Sequence, residues 1–194
     1  CVANGKILKE KIFDNIWIQP ASGDAGGSLG AALYCWYDDK KNLRKISKQD
    51  DMKGSYLGPE YSQDQIEKDL KDLGAVFKTL SEEHLIEKVS SDLANNDAIG
   101  WFQGRMEFGP RALGSRSIIG NPQSSEMQKN LNLKVKYRES FRPFAPSVLK
   151  EDLSEWFDMD CESPYMLLVA KINQNKQIEM TRDEKNLFGI DKLN

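Results

Sequence analysis

Seven basic side chains in the second half of the chain have the types and the spacing of an anion-binding site. Arg105, Arg111 and Arg116 fall within twelve residues, and Lys134, Lys136, Arg138 and Arg142 follow. The guanidinium group is a rigid fork that pairs with phosphate or carboxylate, and several forks can hold a polyphosphate in one orientation. The pattern therefore favours phosphate-bearing substrates and electrostatic stabilisation of a transferring group.

The charge of the chain is concentrated in this region. Residues 101–150 hold nine Lys and Arg against three Glu, whereas the rest of the chain holds 18 basic and 27 acidic residues. Apolar neighbours such as Ile118 and Phe141 place these cations beside predicted core segments, so they need anions from Glu107, Glu139 or a ligand. Internal ion pairing with a solvated face is the alternative explanation. The acidic total charge and the unsuitable spacing of the aromatic residues disfavour nucleic acid as a partner.

A glycine-rich turn near the start of the chain is a second candidate site. The letters PASGDAGG are followed by a stretch of small residues that predicts a helix. Gly26 and Gly27 would let the backbone approach a ligand closely, and the start of the helix would offer N–H groups to a phosphate. Asp24 would then face a metal ion or a ribose hydroxyl. The same letters also fit a capped helix that follows an ordinary turn.

Strands and helices are expected to alternate along the chain, which indicates an α/β or mixed α+β fold. The charged residues 38–53 read as a surface loop or linker. The predicted helices cover residues 27–37, 63–73, 82–94, 124–131 and 150–157, and the predicted strands cover residues 16–20, 75–80, 98–104, 145–149 and 165–172.

The composition bounds the class of protein. Hydrophobic residues make up 39% and charged residues 29% of the 194 residues, which suits a soluble globular protein. We expect no membrane segment, because no apolar run approaches the roughly 20 residues that a span needs. Three scattered cysteines without a CxxC pair indicate free thiols in a reducing cytoplasm. One histidine, His84, makes Ser-His-Asp or Cys-His catalysis improbable. The chain starts at Cys1 in mid-pattern, and we expect both ends to be cut from a longer protein.

Five sequence blocks, in this order, resemble the NodU/CmcH family of O-carbamoyltransferases. The block GPRALGSRSI is nearly a signature of that family, and the resemblance extends over almost the whole chain. The blocks are CVANGKIL, QPASGDAGGSLGAAL, YLGPEYS, GRMEFGPRALGSRSIIGNP and KVKYRESFRPFAPSV.

The resemblance implies a fold and a reaction. Residues 1–60 would be the C-terminal end of an actin-like ATPase-fold domain, residues 61–94 a helical connection, and residues 95–194 part of a YrdC-like α/β domain. ATP with Mg²⁺ and carbamoyl phosphate would form carbamoyl adenylate on the YrdC-like domain. The carbamoyl group would then pass to a hydroxyl of a sugar-like or natural-product acceptor.

The resemblance also implies residue roles. Lys136 and Arg138 match the Lys-x-Arg element of YrdC-like modules, and they would act in catalysis together with Arg111 and Arg116. The substrate- and nucleotide-binding residues would be Arg105, Glu107, Arg142, Gly26 and Gly27, with Glu107 orienting one of the arginines.

Asp24 matches a metal-ligand aspartate of the family, where the full-length protein would hold a divalent metal such as iron. The histidine pair of that metal site is missing here, so we expect the fragment alone to be inactive. The exposed core edges of a partial domain make a homo-oligomer a reasonable expectation. Two alternatives stay open, a non-catalytic nucleotide- or phosphosugar-binding module and a tRNA-modifying relative that makes threonylcarbamoyl adenylate.

Overall fold

Helices and one small antiparallel sheet form the secondary structure of the computed structural model, which describes residues 1–187. This mixed composition agrees with the predicted class at its coarse level. The α-helices are α1 (Val2–Lys9), α2 (Asp24–Tyr34), α3 (Gln63–Asp72), α4 (Glu82–Ala94), α5 (Met127–Asn130), α6 (Leu153–Trp156) and α7 (Arg182–Asn186), and the strands are β1 (Ile99–Phe102) and β2 (Arg116–Ile119).

The chain divides into two compact units that interleave along the sequence. The first contains Cys1–Glu82, Gly100–Ile118 and Ser163–Leu168, and the second contains Glu83–Ile99, Ile119–Glu162 and the residues from Val169 onward. The arginines between residues 105 and 116 belong to the first unit, and the basic residues between 134 and 142 belong to the second.

Buried residues of the first unit surround the start of β2 and the loop before it. Ala21, Met52 and Ser55 are buried, as are the polar residues Glu107 and Ser115. The backbone of residues 55–59 hydrogen-bonds to residues 106–108 through three contacts of 2.6–3.0 Å, from the amides of Gly58, Met106 and Phe108. These contacts fix the loop that carries the arginines.

The second unit has its core at α5 and the π-helical turn Leu131–Val135. Met127, Leu131 and Asn132 are buried there. Gly120 lies against this pair of apolar side chains, since a Cβ added to it would come within 2.8 Å of the Met127 Cγ and 3.1 Å of the Leu131 Cδ1. A larger residue at position 120 would displace the core.

The predicted helices were largely confirmed. A Gln63–Asp72 helix and a Glu82–Ala94 helix lie where the pattern placed them, and Gly74 adopts a positive φ of 67° after the first of them. The helix predicted over residues 27–37 begins at Asp24 and continues as the π-helical segment Cys35–Asp39. The helix predicted over residues 124–131 is only one turn long before it widens into the π-helical turn.

Four of the five predicted strands are wrong, and only residues 98–104 contain one, at Ile99–Phe102. The segments 16–20 and 145–149 each contain a proline, which has no N–H to give to a ladder. Val76, in segment 75–80, is fully exposed and has no strand neighbour within residues 1–187. Segment 165–172 is interrupted at Met166 by a φ of 54°, and only Ile172 forms an isolated bridge, with Phe157. Strand β2 was not predicted, because its apolar run consists of only two isoleucines and lies among arginine and glycine residues.

Candidate functional site

Glu107 is the centre of the predicted site in the first unit. Its side chain is completely buried. Its Oε1 accepts hydrogen bonds from the backbone N–H groups of Leu113 at 2.7 Å and Ser115 at 2.8 Å. Its Oε2 accepts a hydrogen bond from the Nε of Arg116 at 3.2 Å. The carboxylate therefore folds the GPRALGSR segment back on itself.

Two opposing effects set the pKa of Glu107. Burial alone would raise this pKa, because it disfavours the charged form. The hydrogen bonds from the amides of Leu113 and Ser115, together with the positive charge of Arg116, outweigh burial, so that the pKa of Glu107 lies below its ordinary value. Glu107 is therefore a fixed negative charge at neutral pH.

Arg116 is held by several contacts. Besides its bond to Glu107, its Nη2 donates to the carbonyl oxygen of Gly109 at 2.7 Å and to that of Arg111 at 3.4 Å. Gly109 and Gly114 adopt φ values of 119° and 118°, which favour glycine and let the chain turn around the guanidinium group. Most of the hydrogen-bonding capacity of Arg116 is used inside the loop.

Arg105 is also occupied by the protein. Its Nη1 donates to the carbonyl oxygen of Gly58 at 2.8 Å, and its Nη2 donates to Glu60 Oε2 at 3.1 Å. Tyr56 supports the same loop by donating its hydroxyl hydrogen to the carbonyl oxygen of Leu113 at 3.2 Å. The segment YLGPEYS therefore holds the arginine-rich loop, a contact that the sequence did not predict.

Arg111 differs from its two neighbours. Its side chain is exposed and has no ion pair or hydrogen bond within the part of the chain that the structure describes. Its backbone carbonyl is fixed by Arg116, so that the side chain starts from an ordered position. Arg111 is thus the arginine of the first unit with its whole fork available to an anion.

The glycine-rich turn lies next to this loop within the first unit. A Cβ added to Gly109 would come within 3.1 Å of the Cβ of Ala21, which is itself buried. The carbonyl oxygen of Ala21 accepts from the amides of Gly23 at 2.7 Å and Gly26 at 2.8 Å, and a side chain on Gly26 would overlap that oxygen. The small size of Gly26 is therefore explained by the turn itself.

Gly27 and Asp24 keep an open environment. No atom lies within 4 Å of a Cβ added to Gly27, and Asp24 is exposed in the first turn of α2. Asp24 is not the cap of α2, because the capping residue is Gly23. No three His, Cys, Asp or Glu side chains within residues 1–187 are grouped so that they could hold a metal ion. Asp24 as a metal ligand stays a prediction.

A second group of predicted residues lies in the second unit, in the segment that follows α5. Asn132, which the sequence analysis did not single out, is fully buried and accepts a 2.6 Å hydrogen bond from Arg138 Nε. Its Nδ2 donates to the carbonyl oxygens of Ser140 at 3.0 Å and Arg142 at 2.8 Å. The only sequence signal was a polar residue between two leucines, which is also compatible with an exposed position.

The other basic residues of this segment differ in the partners that their side chains contact. Arg142 pairs with Glu139 at 2.8 Å, and the pKa of Glu139 is lowered by a hydrogen bond from its own amide and by the charge of Arg142. The guanidinium carbon of Arg138 lies 4.9 Å from the ring centroid of Phe144. Within the described residues, Lys136 and the two Nη groups of Arg138 form no ion pair or hydrogen bond, although the charge of Arg138 also contributes to lowering the pKa of Glu139. Tyr137, between them, adopts a φ of 48°.

The predicted cations thus fall into two groups, those with an ion-pair partner and those without one among the described residues. Arg105, Arg116 and Arg142 are paired with Glu60, Glu107 and Glu139, whereas Arg111, Lys136 and Arg138 present donors that the described residues do not use. Unpaired cations held near ordered backbone bind oxyanions such as phosphate, carboxylate or carbamate. The chemistry available to these side chains is anion binding and charge stabilisation.

Comparisons with known proteins identify the class. The carbamoyltransferase N-terminus family model matches residues 1–33, and the carbamoyltransferase C-terminus model matches residues 90–184. Together the two matches cover about two thirds of the chain. The chain belongs to the carbamoyltransferase family, as its sequence blocks predicted.

Individual relatives agree with that membership. The protein sll1178 of Synechocystis is 55% identical over all of this chain and 32% of its own length. Nodulation protein NolO of Bradyrhizobium diazoefficiens is 38% identical over 91% of this chain and 32% of its own length. The 3'-hydroxymethylcephem-O-carbamoyltransferase of Streptomyces clavuligerus is 32% identical over 86% of this chain and 29% of its own length. The chain therefore spans about a third of the curated relatives that it matches.

A membrane segment was not expected from the sequence. Among residues 1–187, every helix is too short or too polar to cross a membrane.

Proposed function

We propose that the chain is part of an ATP-dependent O-carbamoyltransferase. The whole protein would form carbamoyl adenylate from carbamoyl phosphate and ATP, and would then transfer the carbamoyl group to a hydroxyl of a sugar-like or natural-product acceptor. Family membership supports the class of reaction, and the name of the cephem O-carbamoyltransferase relative supports a hydroxyl acceptor. The activity belongs to the whole protein, because this chain corresponds to about a third of its relatives.

The fold assignment belongs to the same proposal. Residues 1–60 would form the end of an actin-like ATPase-fold domain, and residues 95–194 would form the beginning of a YrdC-like domain. Residues 61–94 would be the helical connection between these two domains. The two helices Gln63–Asp72 and Glu82–Ala94 suit a helical connection. Residues 188–194 of the last segment lie outside the described part of the chain.

The observation that carries the proposal is the set of cations that form no ion pair within residues 1–187. Arg138 has its Nε bound to Asn132, and its two Nη groups form no hydrogen bond or ion pair within the described residues. Lys136 lies two residues away and is exposed. Carbamoyl phosphate and ATP are both strongly anionic, and bringing them together requires fixed positive charge. Lys136 and Arg138 would bind that charge in the second unit, and Arg111 would bind phosphate oxygens in the first.

The proposed chemistry needs no covalent bond to the protein. Water adds to the carbamoyl carbon of carbamoyl phosphate, the bond from that carbon to the bridging oxygen breaks, and the products are carbamate, inorganic phosphate and a proton. A carbamate oxygen then attacks the α-phosphorus of ATP, and pyrophosphate leaves with the electron pair of the broken P–O bond. In the transfer step the acceptor hydroxyl attacks the carbamoyl carbon, loses its proton to a base, and AMP departs. Lys136 and Arg138 would neutralise the oxygens on which charge accumulates.

A divalent metal enters the proposed function together with the nucleotide. Mg²⁺ accompanying ATP would supply further neutralisation of the phosphate charge. Asp24 is the residue of this chain that we assign to the metal side of the site, and a single exposed carboxylate does not make a tight metal site. We therefore assign no step of the reaction to iron or to another tightly bound metal.

The test is pyrophosphate release by the full-length protein supplied with ATP and carbamoyl phosphate. We expect release to require both substrates and to fall more than about tenfold in Arg138→Ala, as loss of a positioned charge does. Lys129→Ala removes an exposed lysine of the same unit that forms no ion pair within residues 1–187, and it should leave the rate unchanged. Release with bicarbonate and threonine instead would assign the tRNA-modifying alternative. Nucleotide binding without release under either condition would assign a non-catalytic module.

A further inference from the structure

Asn132 is a fully buried polar residue that no part of the proposed chemistry uses directly. Its side-chain amide has one acceptor and two donor hydrogens. The acceptor is taken by Arg138 Nε at 2.6 Å, and the Nδ2 group serves the carbonyl oxygens of Ser140 and Arg142. Every hydrogen-bonding atom of the side chain is therefore used inside the second unit.

The amide can adopt only one orientation in this environment. Rotating it by half a turn would place its NH₂ group against the Nε–H of Arg138 and its oxygen against two carbonyl oxygens. Both contacts would then be repulsive, and burial would leave the groups without water. The backbone adds to this constraint, because the amide of Arg138 donates to the carbonyl oxygen of Asn132 at 3.0 Å. The position of Oδ1 is thus fixed by four hydrogen bonds.

This arrangement sets the direction of the Arg138 guanidinium group. The bond at Nε holds one edge of the planar group, and the guanidinium carbon lies over the Phe144 ring, 4.9 Å from its centroid. The edge that carries the two Nη groups makes no hydrogen bond or ion pair with the described residues. That edge is the one that makes paired, parallel hydrogen bonds with the two oxygens of a phosphate or carboxylate.

We propose that Asn132 is a positioning residue, which acts through Arg138 by presenting its Nη edge to the phosphate or carbamate oxygens of the substrate. This role rests on the proposed function, since it supposes that Arg138 binds the anionic substrate. Asn132 does not touch the substrate itself. Its effect on the reaction therefore depends on the presence of the arginine.

A double-mutant cycle in the full-length protein tests that dependence, with kcat/KM for carbamoyl phosphate measured by pyrophosphate release. We expect Asn132→Ala to lower kcat/KM by about 10- to 100-fold, as misplacement of a substrate-binding group does. Arg138→Ala should lower it at least as much. The double variant should be no worse than Arg138→Ala alone, since Asn132 has then no arginine to position. Asn130→Ala, an exposed residue of α5, should match the wild type.

The cycle distinguishes the failure of this inference from the failure of the proposed function. Losses that multiply in the double variant, or an Asn132→Ala variant that keeps wild-type kinetics while Arg138→Ala does not, would overturn the positioning role alone. An Arg138→Ala variant with unchanged kinetics would overturn the role of Arg138 in the proposed function as well.

Because Asn132 is buried, its alanine variant could fail to fold, which circular dichroism and thermal unfolding would reveal. Arg138→Lys then decides the matter, since lysine keeps the positive charge but has neither the Nε–H nor the planar fork. We expect this variant to lose kcat/KM nearly as severely as Arg138→Ala. Retention of wild-type kcat/KM in Arg138→Lys would contradict the inference, because a freely moving charge would then be sufficient.

Discussion

Glu107 and Arg116 form an ion pair in which the acid is completely buried and the side chain of the base is 31% exposed. The Nε of Arg116 lies 3.2 Å from Oε2 of Glu107, while Oε1 receives two backbone amides. A buried charge with this many partners holds the loop around it in place. Removing the charge should therefore lower the free energy of unfolding.

Glu107→Gln should lower the free energy of unfolding by about 2 kcal/mol, because the new amide can still accept from the two backbone N–H groups but meets Arg116 with a donor. Urea unfolding followed by circular dichroism measures the change. Glu10→Gln, at an exposed position in the same unit, should change the stability by less than about 0.5 kcal/mol. Equal stabilities of the Glu107→Gln variant and the wild type would show that the pair does not hold the loop.

The stability of the protein should also fall in acid because of Glu107. Its pKa in the folded state lies below the ordinary value, so its stabilising contribution is fully present above the unfolded pKa of about 4.3 and is lost as the pH falls through the folded pKa. The difference in unfolding free energy between the wild type and Glu107→Gln should be constant from pH 6 to about pH 5 and shrink below about pH 4. A difference that stays constant to the lowest pH at which the protein folds would contradict the shift.

The hydroxyl group of Tyr165 should ionise at a higher pH than that of an ordinary tyrosine. Burial and a hydrogen bond that its hydroxyl donates to Asp50 raise the pKa of Tyr165 to about 12, although the Gly54 amide, which donates to the same oxygen at 3.1 Å, acts against them. Absorbance at 295 nm should show an ionisation near pH 12 that disappears in Tyr165→Phe and persists in Tyr137→Phe, whose ring is exposed. The folded pKa is raised, so this contribution to stability is present below about pH 10 and is lost as the pH rises towards 12.

Arg111 and Arg105 should differ in their effect on substrate affinity. Arg111→Ala should raise the KM for an anionic substrate by about 10- to 100-fold, since loss of a charge-assisted hydrogen bond costs about 1.5–3 kcal/mol. Arg105→Ala should raise it less, because the fork of Arg105 is occupied by Gly58 and Glu60. Steady-state kinetics with carbamoyl phosphate and with ATP gives both values. The reverse order would mean that the Glu60 pair opens to admit the substrate.

Two glycines of the first unit should respond in opposite directions to alanine. Gly109→Ala should destabilise the protein by about 1–3 kcal/mol, because its φ of 119° strains an L-residue and the new methyl would lie 3.1 Å from Ala21. Gly30→Ala, inside α2 with open space around it, should stabilise by about 0.4–1 kcal/mol. Thermal unfolding of both variants measures the contrast, and a neutral Gly109→Ala would remove the case for a strained loop.

Local patterns in the sequence were sufficient for the long helices and for the location of the basic residues. The helix Gln63–Asp72 begins after Ser62, whose side chain accepts from the amide of Gln65, and such caps are visible in the letters. Strands were harder, because an apolar run forms a strand only when a partner lies beside it. Residues 75–80 have the composition of a strand, but no strand pairs with them in the described chain.

The candidate site was predictable in its residue types but not in its pairing. The surplus of positive charge around Arg111 and Lys136 followed from counting, whereas the partner of Arg105 is Glu60, 45 residues away in the sequence. The role of Asn132 was not predicted for a similar reason. Its hydrogen bonds depend on the turn that brings the carbonyl groups of Ser140 and Arg142 close to its side chain. Contacts of this kind depend on tertiary structure, and the local sequence carries no record of them.

The contact between Ala21 and Gly109 has an evolutionary consequence. A methyl group already fills the space at position 21, and its carbonyl oxygen is committed to two amides of the following turn. A larger residue at position 21 would meet Gly109, whereas position 109 is restricted to glycine by its φ of 119° whatever residue stands at position 21. Across homologous sequences that keep the glycine, position 21 should therefore stay small.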